Sequence, residues 1–227
     1  MKSFVTILVV VLALAAVPAF AAKIQINDSF ATDLGGWTAI NNSKLEWKAT
    51  GGPDNGSYAQ WTDLGEGRGT IVAPKTFLGD MFDVYNGGSI SFDYKIFTPG
   101  TNIDRYNPIV ITLWSGTKNY SYTVATAAQM QAMVGQGWVT LEIPMTASAW
   151  GLSKSVWGDL LGNLTGMHIA VECAVNSTTK SSQWDVVGIG GVRMVSTQEE
   201  PRTEIPEPAT LTLLGLGALA LFRRRRN

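Results

Sequence analysis

Three short stretches each set polar, charged and indole side chains opposite an apolar face. In 89–97 (SISFDYKIF), Ile90, Phe92, Tyr94 and Ile96 alternate with Ser91, Asp93, Lys95 and Phe97. In 109–114 (IVITLW), Ile109, Ile111 and Leu113 oppose Val110, Thr112 and Trp114, and in 138–143 (WVTLEI), Val139, Leu141 and Ile143 oppose Trp138, Thr140 and Glu142. Successive side chains of a strand point to opposite faces. If the three strands are neighbours, Asp93, Lys95, Thr112, Trp114, Trp138 and Glu142 line one groove the size of a sugar. Indole rings stack on pyranose faces, and the polar groups bond hydroxyls. Asp93 and Glu142 would also serve as acid and base, or acid and nucleophile, of a glycoside hydrolase if their carboxyls stood about 5 to 9.5 Å apart across a cleft. No motif marks either carboxylate as unusual, so we expect binding without catalysis.

Other chemistries find little support. His168 and Cys173 are the single histidine and the single cysteine, which argues against a zinc site and makes a Ser-His-Asp triad depend on one histidine inside an apparent strand. Cys173 can form no intrachain disulfide and sits in the apolar run 168–175, as a small buried hydrophobe would. The whole chain carries a net charge of -1. Setting aside Lys2, Glu207 and the four terminal arginines leaves 12 basic and 17 acidic residues in the body, a balance that disfavours nucleic acid as a partner.

The elements that must position these groups read as strands. Segments 45–49, 58–63, 69–73, 89–97, 109–114, 120–124, 138–143, 167–175, 184–187 and 192–195 are short, aromatic or β-branched, and separated by Gly, Asn, Asp and Pro. We expect an all-β fold, an antiparallel jelly-roll β-sandwich, with short helices at 125–134 and 155–164 covering an edge or an end. The body, 22–204, is enough for one domain with a substantial core.

Both ends carry localisation signals. Lys2 precedes an apolar core at 4–16, and Ala19-Phe20-Ala21 has the small-x-small form of a signal peptidase site, with cleavage expected after Ala21 or Ala22. An uncleaved anchor is the alternative. At the other end, Pro206-Glu207-Pro208 should be extended. The apolar run 209–222 then reaches roughly 21 Å as a helix, short of a hydrocarbon core of about 30 Å. Arg223, Arg224, Arg225 and Arg226 follow it; their stems can snorkel, and their charge stays cytoplasmic. A plain C-terminal anchor without processing is the alternative here. These features divide the chain into a signal peptide (1–21), a domain (22–195), a polar linker (196–205, STQEEPRTEI) and a C-terminal hydrophobic sorting helix with its flanks (206–227).

Two resemblances sharpen this. PEPATL, the helix LTLLGLGALALF and the terminal arginines resemble the PEP-CTERM sorting signal of Gram-negative bacteria. That resemblance implies transient anchoring in the inner membrane, processing by exosortase, and delivery to the cell surface or an extracellular biofilm matrix. The segment APKTFLGD (73–80) followed by YNGGSISF (85–92), with Phe30, Asp33, Leu34, Gly36, Trp37, Trp47 and Gly51-Gly52 upstream, resembles the laminin B (laminin IV type A) domain. It implies a jelly roll akin to carbohydrate-binding modules, without known catalysis. Phe77 and Leu78 should plug an end of the core, with Gly79 permitting a turn that Asp80 closes. Related jelly rolls hold a structural calcium ion between a first-strand acid and a carboxylate near the closing strand. Asp28 suits the first role, but Gly190 stands where the second would be, so no cofactor is expected and Asp28 is a weak calcium candidate. Together these features indicate an exported, noncatalytic protein that binds extracellular polysaccharide. The alternatives are a purely structural matrix protein without specific ligand and a glycoside-active enzyme.

Overall fold

The alternation in 89–97 reappears as a long interior strand of the larger of the two main antiparallel sheets. The structure, a computed structural model, describes residues 25–65, 67–101, 103–176 and 184–196. The expected signal peptide, the sorting segment and all of the linker except Ser196 lie outside the described residues. In chain order the elements are β1 (Gln25–Asp28), β2 (Thr38–Ile40), β3 (Ser43–Lys48), β4 (Tyr58–Asp63), β5 (Thr70–Val72), α1 (Phe82–Tyr85), β6 (Ser89–Pro99), β7 (Ile103–Tyr106), β8 (Ile109–Ser115), β9 (Lys118–Ala125), α2 (Ala127–Met133), β10 (Val139–Pro144), α3 (Lys154–Leu161), β11 (Gly166–Ala170), β12 (Ala174–Asn176) and β13 (Asp185–Val195). The six-stranded sheet runs β10-β6-β13-β4-β3 with β1 added to β13, the five-stranded sheet runs β2-β5-β11-β8-β9, and β12 pairs with β7. The expected all-β, antiparallel architecture with few short helices is what the chain adopts.

The two sheets bury their apolar faces against each other. Ile90, Phe92 and Tyr94 of β6, Ile111 and Leu113 of β8, Ile143 of β10, Trp61 of β4, and Val187 and Ile189 of β13 are all fully buried in one cluster. Each such side chain gives about 1.5 to 3 kcal/mol on leaving water. Because that core takes one face of every strand, the alternate residues are forced onto the two outer faces of the sandwich. Among the described residues no helix is long and apolar enough to cross a membrane.

The helices close the margins. Thr126 caps α2 through a reciprocal capping box with Gln129, and Met130 is buried beneath it. Ser153 caps α3, whose Trp157, Leu160 and Leu161 enter the core. The 73–80 segment behaves as expected of an end plug. Phe77 is buried with its ring 5.2 Å from that of Trp37, and Tyr85 donates its hydroxyl to the Phe77 carbonyl at 2.7 Å. Gly79 takes φ +106°, and Asp80 accepts from the Phe82 amide at 3.3 Å.

Most expected elements shift by a few residues at their ends, and two differ in continuity. The run 167–175 divides into β11 and β12, because Cys173 turns its amide to the Asp185 carboxylate, 2.8 Å away, and leaves the ladder. Conversely, 184–187 and 192–195 join into β13 through Gly188, Gly190 and Gly191. Glycine here marks close approach and a bulge rather than a turn: the register shifts between Gly190 and Arg193, and a Cβ on Gly190 would meet Pro53 Cγ at 2.6 Å.

Candidate functional site

The six candidate groove residues do not share a groove. Asp93 and Lys95 on β6, Glu142 on β10 and Trp138 just before it belong to the outer face of the six-stranded sheet, whereas Thr112 and Trp114 on β8 belong to the five-stranded sheet. β10 pairs with β6 and β8 pairs with β11 and β9, so the two sets sit on opposite outer faces. Alternation assigned each residue to an outer face; it could not say which sheet that face belonged to.

On the six-stranded sheet the candidates are committed to the fold. Asp93 is buried, accepts from the Thr140 hydroxyl at 2.6 Å and is ion-paired to Arg193. Trp138 donates its indole N–H to the Gly51 carbonyl at 3.1 Å and packs edge-on against Tyr58 and Phe97, with centroids 5.3 and 6.0 Å away. The ammonium of Lys95 stands 5.0 Å over the Phe97 ring. Glu142 lies apart, beside a hollow formed with Gly88, Ser89 and Pro144. Trp138 thus packs edge-on between Tyr58 and Phe97, while Phe97 itself stays 39% exposed.

The five-stranded sheet carries the better-formed site. A cleft of about 320 Å³ opens on its outer face, lined by residues of β8 (Val110, Thr112, Trp114), β9 (Ser121), β11 (His168, Ala170), β5 (Thr70) and the flanking Ile40, Asn41 and Arg68. The registers that place His168 opposite both Thr112 and Val72, and Ser121 opposite Thr112, bring these groups to one surface. Trp114 and His168 stand with ring centroids 5.7 Å apart at 47°. The indole lies against Gly166, where a Cβ would touch its inner atoms at 3.4 Å. Its N–H is buried without an acceptor, so what this position offers is the ring face. Thr112 and Ser121 share a hydrogen bond of 2.8 Å, and Arg68 donates to the Pro108 carbonyl at 2.6 Å.

Partial burial lowers the pKa of His168, so at neutral pH its imidazole is uncharged and offers one donor and one acceptor. None of the described residues lining the cleft is a carboxylate. His168, Ser121, Thr70, Asn41 and Arg68 were not foreseen. A lone histidine in an apolar strand reads as core, and the others come from elements whose adjacency only the sheet order reveals.

Asp28 is occupied by structure. One carboxylate oxygen accepts from the Phe30 amide at 3.0 Å and the other from the Trp37 indole at 3.1 Å, while a Cβ on Gly35 would collide with it. Among the described residues no group of three His, Cys, Asp or Glu is arranged to hold a metal ion. Ala19, Ala21, Pro206, Glu207, Pro208 and Arg223 to Arg226 lie outside the described residues.

Residues 204–226 match the PEP-CTERM protein-sorting motif. The chain is therefore marked for export, as its tail indicated. A comparison with curated protein sequences finds no match. Among solved structures, an exo-beta-agarase is similar with a TM-score of 0.50 at 8% identity, over 75% of this chain and 24% of the agarase. The CBM22-2 xylan-binding domain from Paenibacillus barcinonensis Xyn10C is similar with a TM-score of 0.47 at 14% identity, over 76% of this chain and 99% of that domain. The L4b domain of human laminin alpha-2 is similar with a TM-score of 0.40 at 15% identity, over 60% of this chain and 79% of that domain. At 8% identity the likeness to the agarase speaks to the fold alone.

Proposed function

We propose that the sandwich of this exported chain is a noncatalytic polysaccharide-binding domain and that the Trp114 cleft takes the sugar. What supports this is one arrangement: an indole ring beside an uncharged imidazole, with hydroxyls from two strands at hand, in an open cleft of about 320 Å³. Apolar rings with a few placed polar groups suit a neutral, hydroxyl-rich ligand. Hydrolysis by an acid–base pair asks for two carboxylates flanking the bond, and the described lining of this cleft supplies none. In this reading signal peptidase removes the N-terminal segment and exosortase processes the tail. The domain is then displayed at the surface or released into an extracellular matrix.

A glycan array probed with the purified exported chain tests the binding. Retention on one class of polysaccharide, without release of reducing ends, is expected. A uniformly blank array supports the alternative of a structural matrix protein without specific ligand, and released reducing ends support an enzyme. For the tail, deleting residues 206–227 should change where the chain accumulates; unchanged localisation contradicts the sorting role.

A further inference from the structure

At the end of β13 away from Val195, three carboxylates are buried together. Asp185 opens β13 and Asp63 closes β4, and the register that sets Val186 opposite Thr62 sets these two acids opposite each other on the inward side. Asp185 is fully buried, and Asp63 and Glu172 are 3% and 7% exposed. Asp185 accepts from the Cys173 amide through Oδ2, while its Oδ1 is buried with no donor. Facing residues of an antiparallel pair hold their Cβ atoms about 4.5–5.5 Å apart, so the register makes the two buried carboxyls neighbours. Among the described residues no salt bridge reaches any of the three. Arg68 and Arg105 border the cavity of about 420 Å³ that Asp63 and Glu172 line.

Two opposed carboxylates shielded from water cannot both ionise without severe repulsion, and one proton between them relieves it. The same acids hold the chain that follows β4. Asp63 accepts from the Gly65 amide at 3.0 Å and Glu172 from the Gly69 amide at 2.9 Å. Arg68 and Thr70, in and beside that stretch, line the Trp114 cleft on the sheet surface. We propose that Asp63 and Asp185 share one proton and, with Glu172, form a proton-operated clasp on the connection between β4 and β5. When the proton leaves to solvent, two facing anions remain between β4 and β13 and the clasp loosens. The clasp stands on the carboxylate geometry; its reach to the cleft rests on the polysaccharide-binding function proposed above.

The sign of the pH dependence follows from burial. Burial pushes Asp185 up to about 7 and raises Asp63 and Glu172. Groups whose folded values lie above their unfolded ones favour the fold fully below the unfolded value and lose that contribution as pH rises through the folded value. The other titratable groups acting on the cluster are Cys173 on the β11–β12 connection and Tyr94 on β6. Burial raises both, so both stay neutral in this window, while Arg68 and Arg105 pull Glu172 down against its burial.

Thermal unfolding of the full-length chain between pH 5 and 9 tests the proposal, alongside Asp185→Asn and Asp63→Asn; the loss should lie below about pH 7, where the folded value of Asp185 lies. The parent Tm should fall by about 5–10 °C across that range, taking about two pH units of lost contribution and the Tm sensitivity of a domain this size. Either variant should lose at least half of the slope. A flat parent profile, or the same slope in both variants, overturns the clasp. If neither variant folds, hydrogen exchange of the Gly65 and Gly69 amides in the parent decides: protection lost selectively above pH 7 supports it, and protection unchanged relative to the core overturns it. A slope abolished by millimolar calcium at pH 8 assigns the counter-charge to a cation and also overturns it. Polysaccharide retention that weakens from pH 6 to 9 supports the reach to the cleft, and equal retention overturns that reach. No retention at any pH overturns the binding function and leaves the clasp to be decided by Tm.

Discussion

Gly188 lies directly beneath the indole of Trp138, and a Cβ at position 188 would collide with that ring and come within 2.9 Å of Phe97 Cε2. The absent side chain makes room for both rings, which meet edge-on at 87° over β13. Trp138 is thus a cover for the six-stranded sheet, pinned by its hydrogen bond to Gly51. Gly188→Ala should destabilise the fold by about 1 to 3 kcal/mol through displaced rings, read as a lower urea midpoint at unchanged m-value. An unchanged midpoint contradicts this role.

The paired hydroxyls of Thr112 and Ser121 face solvent on the other sheet. Replacing Thr112 by Val keeps the β-branched shape and removes one hydrogen-bonding group. Polysaccharide retention should weaken by roughly 2- to 12-fold, the worth of a net hydrogen bond of about 0.5 to 1.5 kcal/mol, while Tm stays constant. Retention equal to that of the parent shows that the sugar does not touch this pair.

His168 predicts the acidic limb of the binding profile. Its pKa is lowered by burial, so the uncharged ring persists through neutral pH and becomes cationic only below the usual histidine range. Once the pH falls below that lowered value, retention should decline. His168→Gln should flatten the decline. For stability the sign is the same: the neutral ring's contribution is present above the unfolded value and lost as pH falls through the folded one. Isothermal titration with a retained glycan at several pH values checks both.

Asp28 joins the first strand to the Trp37 ring and the Phe30 amide. Asp28→Ala removes two acceptors at once and should lower stability by about 1 to 3 kcal/mol, measured by chemical denaturation. Calorimetry with calcium at millimolar concentration should give no binding heat in the parent. A saturable heat that disappears in Asp28→Ala would instead place an ion there.

Much of the fold was legible because alternation and turn chemistry are local. β4 has the boundaries its pattern indicates, β6, β8 and β10 differ only at their ends, and the Ser153 and Thr126 caps sit where polar residues precede helical stretches. Short strands such as β1, β2 and β7 escaped because three or four residues carry too little period; their pairing is a tertiary fact. The site was legible only by halves. The outward positions of Trp114 and Trp138 followed from their neighbours, but membership of different sheets depends on long-range order that no local window encodes. The carboxylate cluster was invisible for the same reason, since Asp63, Glu172 and Asp185 meet only when β4, β13 and the chain after β11 converge.

The two tryptophans give the most direct test of the central claim, that the five-stranded face binds the sugar. Retention on an affinity gel of an array-positive polysaccharide, measured for the parent, Trp114→Ala and Trp138→Ala, separates the two faces. Trp114→Ala should lose at least tenfold in affinity with little change in Tm. Trp138→Ala should keep its retention while losing stability by about 2 to 4 kcal/mol. Full retention by Trp114→Ala, or loss confined to a well-folded Trp138→Ala, contradicts it.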